Sequence, residues 1–276
     1  MTAATQYLAW TQAESWPTMP RYILGARGMG LDLYYCSLLN DVQPLLEPAR
    51  AVLDASELAR YHGYRPQKQI EFSLGRLLVK RALAARLSRP IGDIRFSYSH
   101  LGKPLLPGAR CSFNISHCKS AVVAVVSDVP AGVDVEQIYR GGGGSADRSQ
   151  PWQRAASFLN LPMAQMLDRL ASDDEHSRAR LFTQLWTCLE ARVKMSGNSV
   201  FDLRKTFQLI IHDRYYQPAC QASRGCYFAS WQLQNNEIVS LASAAPAPIK
   251  IWQYKRERLQ QLIVEPIACS LPLGSY

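Results

Sequence analysis

A chain of 276 residues that is 47% hydrophobic can bury a sizeable core and is long enough for two lobes of similar size. Its formal net charge of +9 favours an anionic partner without naming it, and its seven cysteines, odd in number and without a CxxC pair, argue against both a disulfide framework and a zinc site. No apolar run approaches the length of a membrane span, and the stretch from Met1 to Trp16 lacks a cationic segment followed by an apolar one, so the expectation is a soluble, unexported, cytoplasmic protein that meets no membrane.

In chain order, Asp54 to Arg60 carries helical spacing, and Ile70 to Leu87 sets Leu74, Leu77, Leu78 and Leu83 against Arg76, Lys80 and Arg81, which predicts an amphipathic helix. Ile94 to Ser99 alternates as a strand does, Gly102, Lys103 and Pro104 supply turn chemistry, and Ala121 to Val126 is a short β-branched run. A turn at 127–130 then leads into Gly132 to Glu136, read as a strand that forms a hairpin with the preceding one. Gly141 to Gly144 reads as a loop or linker without the lysine and hydroxyl ending of a phosphate-binding loop. Helices follow from Trp152 to Leu170 and from Arg180 to Ser196, the second stopped by Gly197. Phe207 to Ile211, Cys226 to Leu233, Ile238 to Ala242 and Ile249 to Tyr254 are short strands. Two α/β lobes in series describe this order most economically.

Chemistry concentrates in a few places. In Gly132-Val133-Asp134-Val135-Glu136 the side-chain period of two puts both carboxylates on one face and both valines on the other. Two like charges so held invite a cation, although alone the pair also fits a solvated strand face. Trp186, Glu190 and Lys194 share one face of a helix whose apolar stripe is Phe182, Leu185, Leu189 and Val193; Glu190 and Lys194 are also an ordinary stabilising pair, and they matter only if this helix faces the Asp134 strand. Three carboxylates without histidine or cysteine suit a hard cation such as Mg²⁺ held against phosphates. Ser116 and His117 in Phe113-Asn114-Ile115-Ser116-His117, and Lys103 on its turn, offer groups for phosphate oxygens, while each alone fits a structural or solvated residue equally well.

Taken in this order, the strings Ile94-Arg95-Phe96-Ser97, Gly102-Lys103-Pro104, Phe113 to His117, Gly132 to Glu136 and Trp186 to Lys194 resemble those of the Sfp-type 4'-phosphopantetheinyl transferases. The resemblance runs from about Glu57 to Gly197, with weaker support to near Ala245. It implies an α+β fold, a pseudo-dimer of two related lobes with the active site in the cleft between them, here residues 1–128 and 129–276. It implies transfer of the phosphopantetheine arm of coenzyme A to a serine of an apo acyl or peptidyl carrier protein, with release of 3',5'-ADP, as a holo-[acyl-carrier-protein] synthase does. By motif position Asp134, Glu136 and Glu190 become Mg²⁺ ligands, Glu190 and Lys194 the catalytic pair, and Lys103, Ser116 and His117 contacts for the nucleotide end of coenzyme A. Arg76 and Lys68 are further candidate phosphate contacts, as is Arg65, where the correspondence is looser.

One position departs from the pattern. The family places lysine before the catalytic glutamate, and this chain has Leu189; Arg192 lies roughly 200° around the helix from Glu190 and substitutes poorly. The expectation is that Leu189→Lys costs stability without lowering kcat/KM. The departure keeps open an alternative, a catalytically weak transferase-like protein that binds coenzyme A or a carrier protein. A nucleic-acid partner, the other reading of a basic chain, is disfavoured because its Lys and Arg residues are scattered.

Overall fold

The computed structural model describes residues 30–100, 102–138, 175–197, 209–212, 215–218, 226–245, 247–255 and 258–262. Through them the chain runs β1 (Leu31–Ser37), α1 (Gln43–Ala51), α2 (Ala55–His62) and α3 (Pro66–Leu87), then a short 3-10 turn (Ile91–Asp93). Next come β2 (Ser97–Tyr98), β3 (Pro104–Leu105), β4 (Ser112–Cys118), β5 (Ala121–Ser127), β6 (Ala131–Gln137) and α4 (Glu175–Ser196). Six strands follow: β7 (Leu209–His212), β8 (Tyr215–Pro218), β9 (Tyr227–Gln232), β10 (Glu237–Ser243), β11 (Ile249–Lys255) and β12 (Arg258–Leu262). The readings of Gly141 to Gly144 and of a helix from Trp152 to Leu170 lie outside the described residues.

Two five-stranded sheets result, in the orders β12-β11-β1-β5-β4 and β6-β10-β9-β8-β7. Alternation in β1 explains why it is buried on both faces: Leu31, Leu33 and Tyr35 point into a core shared with the second sheet, while Tyr34 and Cys36 point under α1 and α3. Strand β6 does the same from the other side, with Val133 and Val135 in the intersheet core. Helix α4 covers the opposite face of the second sheet, over Ile238, Ala242 and Phe228. The layers are therefore helix, sheet, sheet, helix, a mixed α and β architecture. Among the described residues no helix is long and apolar enough to cross a membrane.

The hairpin expected between Ala121 to Val126 and Gly132 to Glu136 does not form. Strand β5 pairs with β4 and β1, whereas β6 pairs antiparallel with β10 in the other sheet. Residues 128–130 are a crossover between sheets. The reason is burial: both strands are apolar on the face that looks into the intersheet core, and stacking face to face covers both, which side-by-side pairing would not. Strands β11 and β12 then return to the first sheet, β11 running parallel to β1.

Helix α3 also differs from its amphipathic reading. Arg76 and Lys80, expected on a solvated face, are 6% and 1% exposed. Both pair with Glu57, at 2.7 and 2.5 Å, and Lys80 donates further to the Val52 carbonyl at 2.8 Å. Glu57 is also the N3 residue of a capping box with Asp54 at the start of α2, so a buried carboxylate serves both a cap and two cations.

Candidate active site

Strand β4 is an edge of the first sheet and β6 an edge of the second, and they meet through side chains instead of a backbone ladder. The alternation of β4 puts Ser112, Asn114 and Ser116 on one face. Ser112 Oγ accepts from the Ala131 N–H at 3.2 Å and Asn114 Oδ1 from the Val133 N–H at 3.4 Å. One pleat further, the Ser116 hydroxyl donates to Asp134 Oδ1 at 2.7 Å. Period-two polarity in Ser112-Phe113-Asn114-Ile115-Ser116 signals this seam, and the sequence reading passed over Asn114.

Helix α4 completes the junction, packed on β6 at an unusually close approach. A Cβ built on Gly132 would stand 2.1 Å from the Ala191 carbonyl oxygen and 2.4 Å from the Met195 nitrogen, so only glycine lets the helix sit so near the strand. The helix therefore does face the Asp134 strand. Lys194 donates to Asp134 Oδ1, and to Ser116 Oγ at 2.8 Å. The last turn of α4 is held by Lys103, whose ammonium donates to the carbonyls of Lys194 at 2.7 Å and Met195 at 3.2 Å. Gly102, with φ of 79°, makes the turn that presents it. Lys103 is thus a clamp on a helix end, with burial pulling its pKa down, and not the solvated lysine its turn allowed.

The carboxylates lie in one another's field. Burial, reinforced by the charges of Asp134 and Glu190 and opposed by Lys194, pushes Glu136 up to about 7. Burial and Asp134 raise Glu190 as well, again against Lys194. Asp134 is 3% exposed, and its Oδ2 has no hydrogen-bond partner among the described residues. As the side chains stand, with Lys194 on Asp134, no three His, Cys, Asp or Glu groups among the described residues form a ready ligand set. The donor chemistry nevertheless fits a hard dication: oxygen donors alone, one of them an orphaned buried oxygen, and two carboxyls whose pKa burial and neighbouring negative charge raise.

His117 points away from Asp134, toward α3, where Nδ1 lies 3.2 Å from Glu71 Oε2 and Nε2 lies 2.5 Å from Lys68 Nζ. The sequence reading named His117 and Lys68 and missed Glu71. Arg76 stands apart from the cluster: besides Glu57 it donates to Tyr98 Oη at 3.3 Å and lies over the rings of Phe72 and Phe96. Leu189 is fully buried in the core between α4 and the second sheet, beside Phe182, Leu185 and Cys188. A lysine there would bury its ammonium in that core, which agrees with the expected stability cost of Leu189→Lys and leaves no direct path from this position to the carboxylate cluster. Arg192 lies toward Cys226, whose thiol burial pushes up to about 12 against the opposing charge of Arg192. A cavity of about 750 Å³ opens beside Glu136, lined by Gln137, Gln232, Gln234, Asn235 and Asn236 among others.

Two stacked sheets joined by a polar seam, with three coupled carboxylates and a lysine at the joint, define the class: an α and β protein with an acidic, oxygen-donor site. In sequence the chain is similar to several curated 4'-phosphopantetheinyl transferases. It is 28% identical to 4'-phosphopantetheinyl transferase HetI of Nostoc sp. over 174 residues, 60% of this chain and 69% of that protein. With 4'-phosphopantetheinyl transferase Sfp of Bacillus subtilis it is 24% identical over 176 residues, 63% of this chain and 73% of that one. With 4'-phosphopantetheinyl transferase gsp of Aneurinibacillus migulanus it is 28% identical over 134 residues, 46% of this chain and about half, 48%, of the relative. No family model matches the chain.

Proposed function

We propose that the protein transfers the 4'-phosphopantetheine arm of coenzyme A to a serine of an apo acyl or peptidyl carrier protein, releasing 3',5'-ADP. The observation that carries this reading is the junction of β4, β6 and α4, where Lys194 bridges Ser116 and Asp134 beside two carboxyls of raised pKa. Each sheet has a 22-residue helix across its outer face, which supports two related lobes with the cleft at this seam. Asp134, Glu136 and Glu190 would hold Mg²⁺, which when bound neutralises pyrophosphate charge. Lys194, which pairs with Asp134 here, would stabilise the phosphate of the departing 3',5'-ADP. Glu190, with a raised pKa, accepts the proton of the carrier serine. Lys103 keeps the end of α4 in register, while Ser116, His117 and Lys68 meet the nucleotide end. Arg76 is assigned to support: through Tyr98 it steadies the ribbon of β2 and β3 that presents Lys103. The amide-lined cavity beside Glu136 suits the neutral, amide-bearing arm.

Asp134→Ala and Glu190→Ala are expected to abolish transfer while circular dichroism shows an unchanged fold, and a chelator is expected to silence the wild type. Near-normal transfer by both folded variants with Mg²⁺ present would refute the assignment.

A further inference from the structure

The end of β9 and the turn into β10 set five consecutive residues, Gln232 to Asn236, against the cavity beside Glu136. Four of the five are Gln or Asn, so this wall is polar without charge, the complement of a neutral ligand rich in hydrogen-bonding groups. The turn is braced by its neighbours. The Ile138 N–H donates to the Asn236 carbonyl at 2.8 Å and the Leu233 N–H to the Glu237 carbonyl at 2.8 Å. The Asn235 N–H donates to Oε2 of the fully buried Glu237 at 3.1 Å. Two of the amides are oriented by partners that can play only one part. A guanidinium can only donate, so the Gln232 atom 2.9 Å from Arg180 Nε is its oxygen. A backbone carbonyl can only accept, so the Asn236 atom 3.2 Å from the Ile138 oxygen is its nitrogen. The other halves then meet in the right sense, Gln232 Nε2 donating to Asn236 Oδ1 at 3.4 Å. Each amide nitrogen has a pair of N–H groups and spends one, so Gln232 and Asn236 each keep a donor. Asn235 gives both of its own to β1, to Ser37 Oγ at 2.8 Å and Tyr35 Oη at 3.3 Å, and keeps its oxygen.

We propose that Gln232, Asn235 and Asn236 are specificity-determining residues that recognise the pantetheine arm of coenzyme A, the two spare donors meeting its amide carbonyls and the Asn235 oxygen an amide N–H. Every secondary amide of the arm has one N–H and one C=O, which matches a wall that offers both an acceptor and donors. Because the protein's own contacts already hold these side chains, little of their ordering cost falls on binding. That the ligand is coenzyme A rests on the proposed transferase function; the preset donors and acceptor rest on the turn itself.

Calorimetry on the full-length protein with Mg²⁺ and no carrier compares coenzyme A with 3'-phosphoadenosine 5'-diphosphate, which has the same nucleotide and pyrophosphate but no arm. Gln232→Met, Asn235→Ala and Asn236→Gly are each expected to weaken coenzyme A about five- to tenfold and to leave the armless nucleotide within about twofold. Asn236 has φ of 64°, so glycine removes its amide without straining the turn. A merely structural role would weaken both ligands alike, and that result, or unchanged coenzyme A affinity in the folded variants, would overturn the proposal. Nucleotide binding that persists in those cases leaves the transferase reading standing. NMR of nitrogen-labelled wild type needs no variant to fold: the side-chain amide signals of Gln232 and Asn236 are expected to shift with coenzyme A and not with the armless nucleotide, and signals that shift with neither would overturn the assignment. Failure of the folded wild type to bind either ligand would overturn the transferase reading and the arm site together.

Discussion

Leu189 and Glu190 are chain neighbours in different surroundings: one is sealed in the core under α4, the other keeps company with Asp134 and Lys194. Leu189→Lys is therefore expected to cost about 3–5 kcal/mol, from lost packing and a buried ammonium, and to bring no rise in kcat/KM for coenzyme A. Urea unfolding beside steady-state kinetics checks both, and a variant of near-native stability with a raised kcat/KM would mean that the side chain escapes the core. Glu136 supports a pH prediction. A carboxyl whose folded-state pKa is raised from 4.5 to about 7 holds its proton more tightly in the folded protein, so stability is greatest below about 4.5 and falls as pH rises through about 7. The loss belonging to Glu136 is on the order of 2 kcal/mol after allowance for its partial exposure, with Glu190 adding in the same direction. Thermal melts without divalent cation are expected to show the decline, and Mg²⁺ to restore stability at pH 7.5 far more than at pH 5. A Mg²⁺ effect of equal size at both pH values would contradict the site.

At the scale of elements, α4 and β6 stand or fall by Gly132. Gly132→Ala drives a methyl into the backbone of α4 and is expected to destabilise by about 2–4 kcal/mol and to depress transfer, because the displaced helix carries Glu190 and Lys194. Gly92→Ala, with nothing within 4 Å of the new carbon, is the control. Denaturant unfolding of both decides it; equal stabilities would mean that the close approach is not real. The sequence revealed α2 and α3 through helical spacing, α4 through its apolar stripe and Gly197, β5 as a β-branched run, β6 through alternation and β9 to β11 as short apolar strands. It concealed what depends on distant chain: the polar face of α3 looked solvated because nothing local says that Glu57 meets Arg76 and Lys80. The false β5 and β6 hairpin arose the same way, since a turn between two apolar strands is equally consistent with pairing and with stacking across a core. Strand β1 and helix α1 went unread because they lie before the matching motifs. At the site, Asp134, Glu136 and Glu190 were legible from spacing and order, whereas Glu71 and Asn114 emerge only when β4 is seen between α3 and β6.

For the molecule as a whole, the formal charge of +9 adds a long-range term. An acidic carrier protein would be drawn to such a surface, and the apparent KM for carrier is expected to rise several-fold from low to moderate ionic strength; a flat response would assign the basic excess elsewhere. The helix, sheet, sheet, helix stack brings the candidate site to the place where the two sheets' edge strands meet, so on the proposed reading chemistry and architecture depend on the same contacts between β4, β6 and α4. The most direct test of the central claim is intact mass spectrometry of several apo carrier proteins after incubation with this protein, coenzyme A and Mg²⁺. At least one carrier is expected to gain a single phosphopantetheine, and none to do so with Asp134→Ala. No gain on any fatty acid, polyketide or peptide carrier, from folded protein that binds coenzyme A, would contradict transfer as the function of this site.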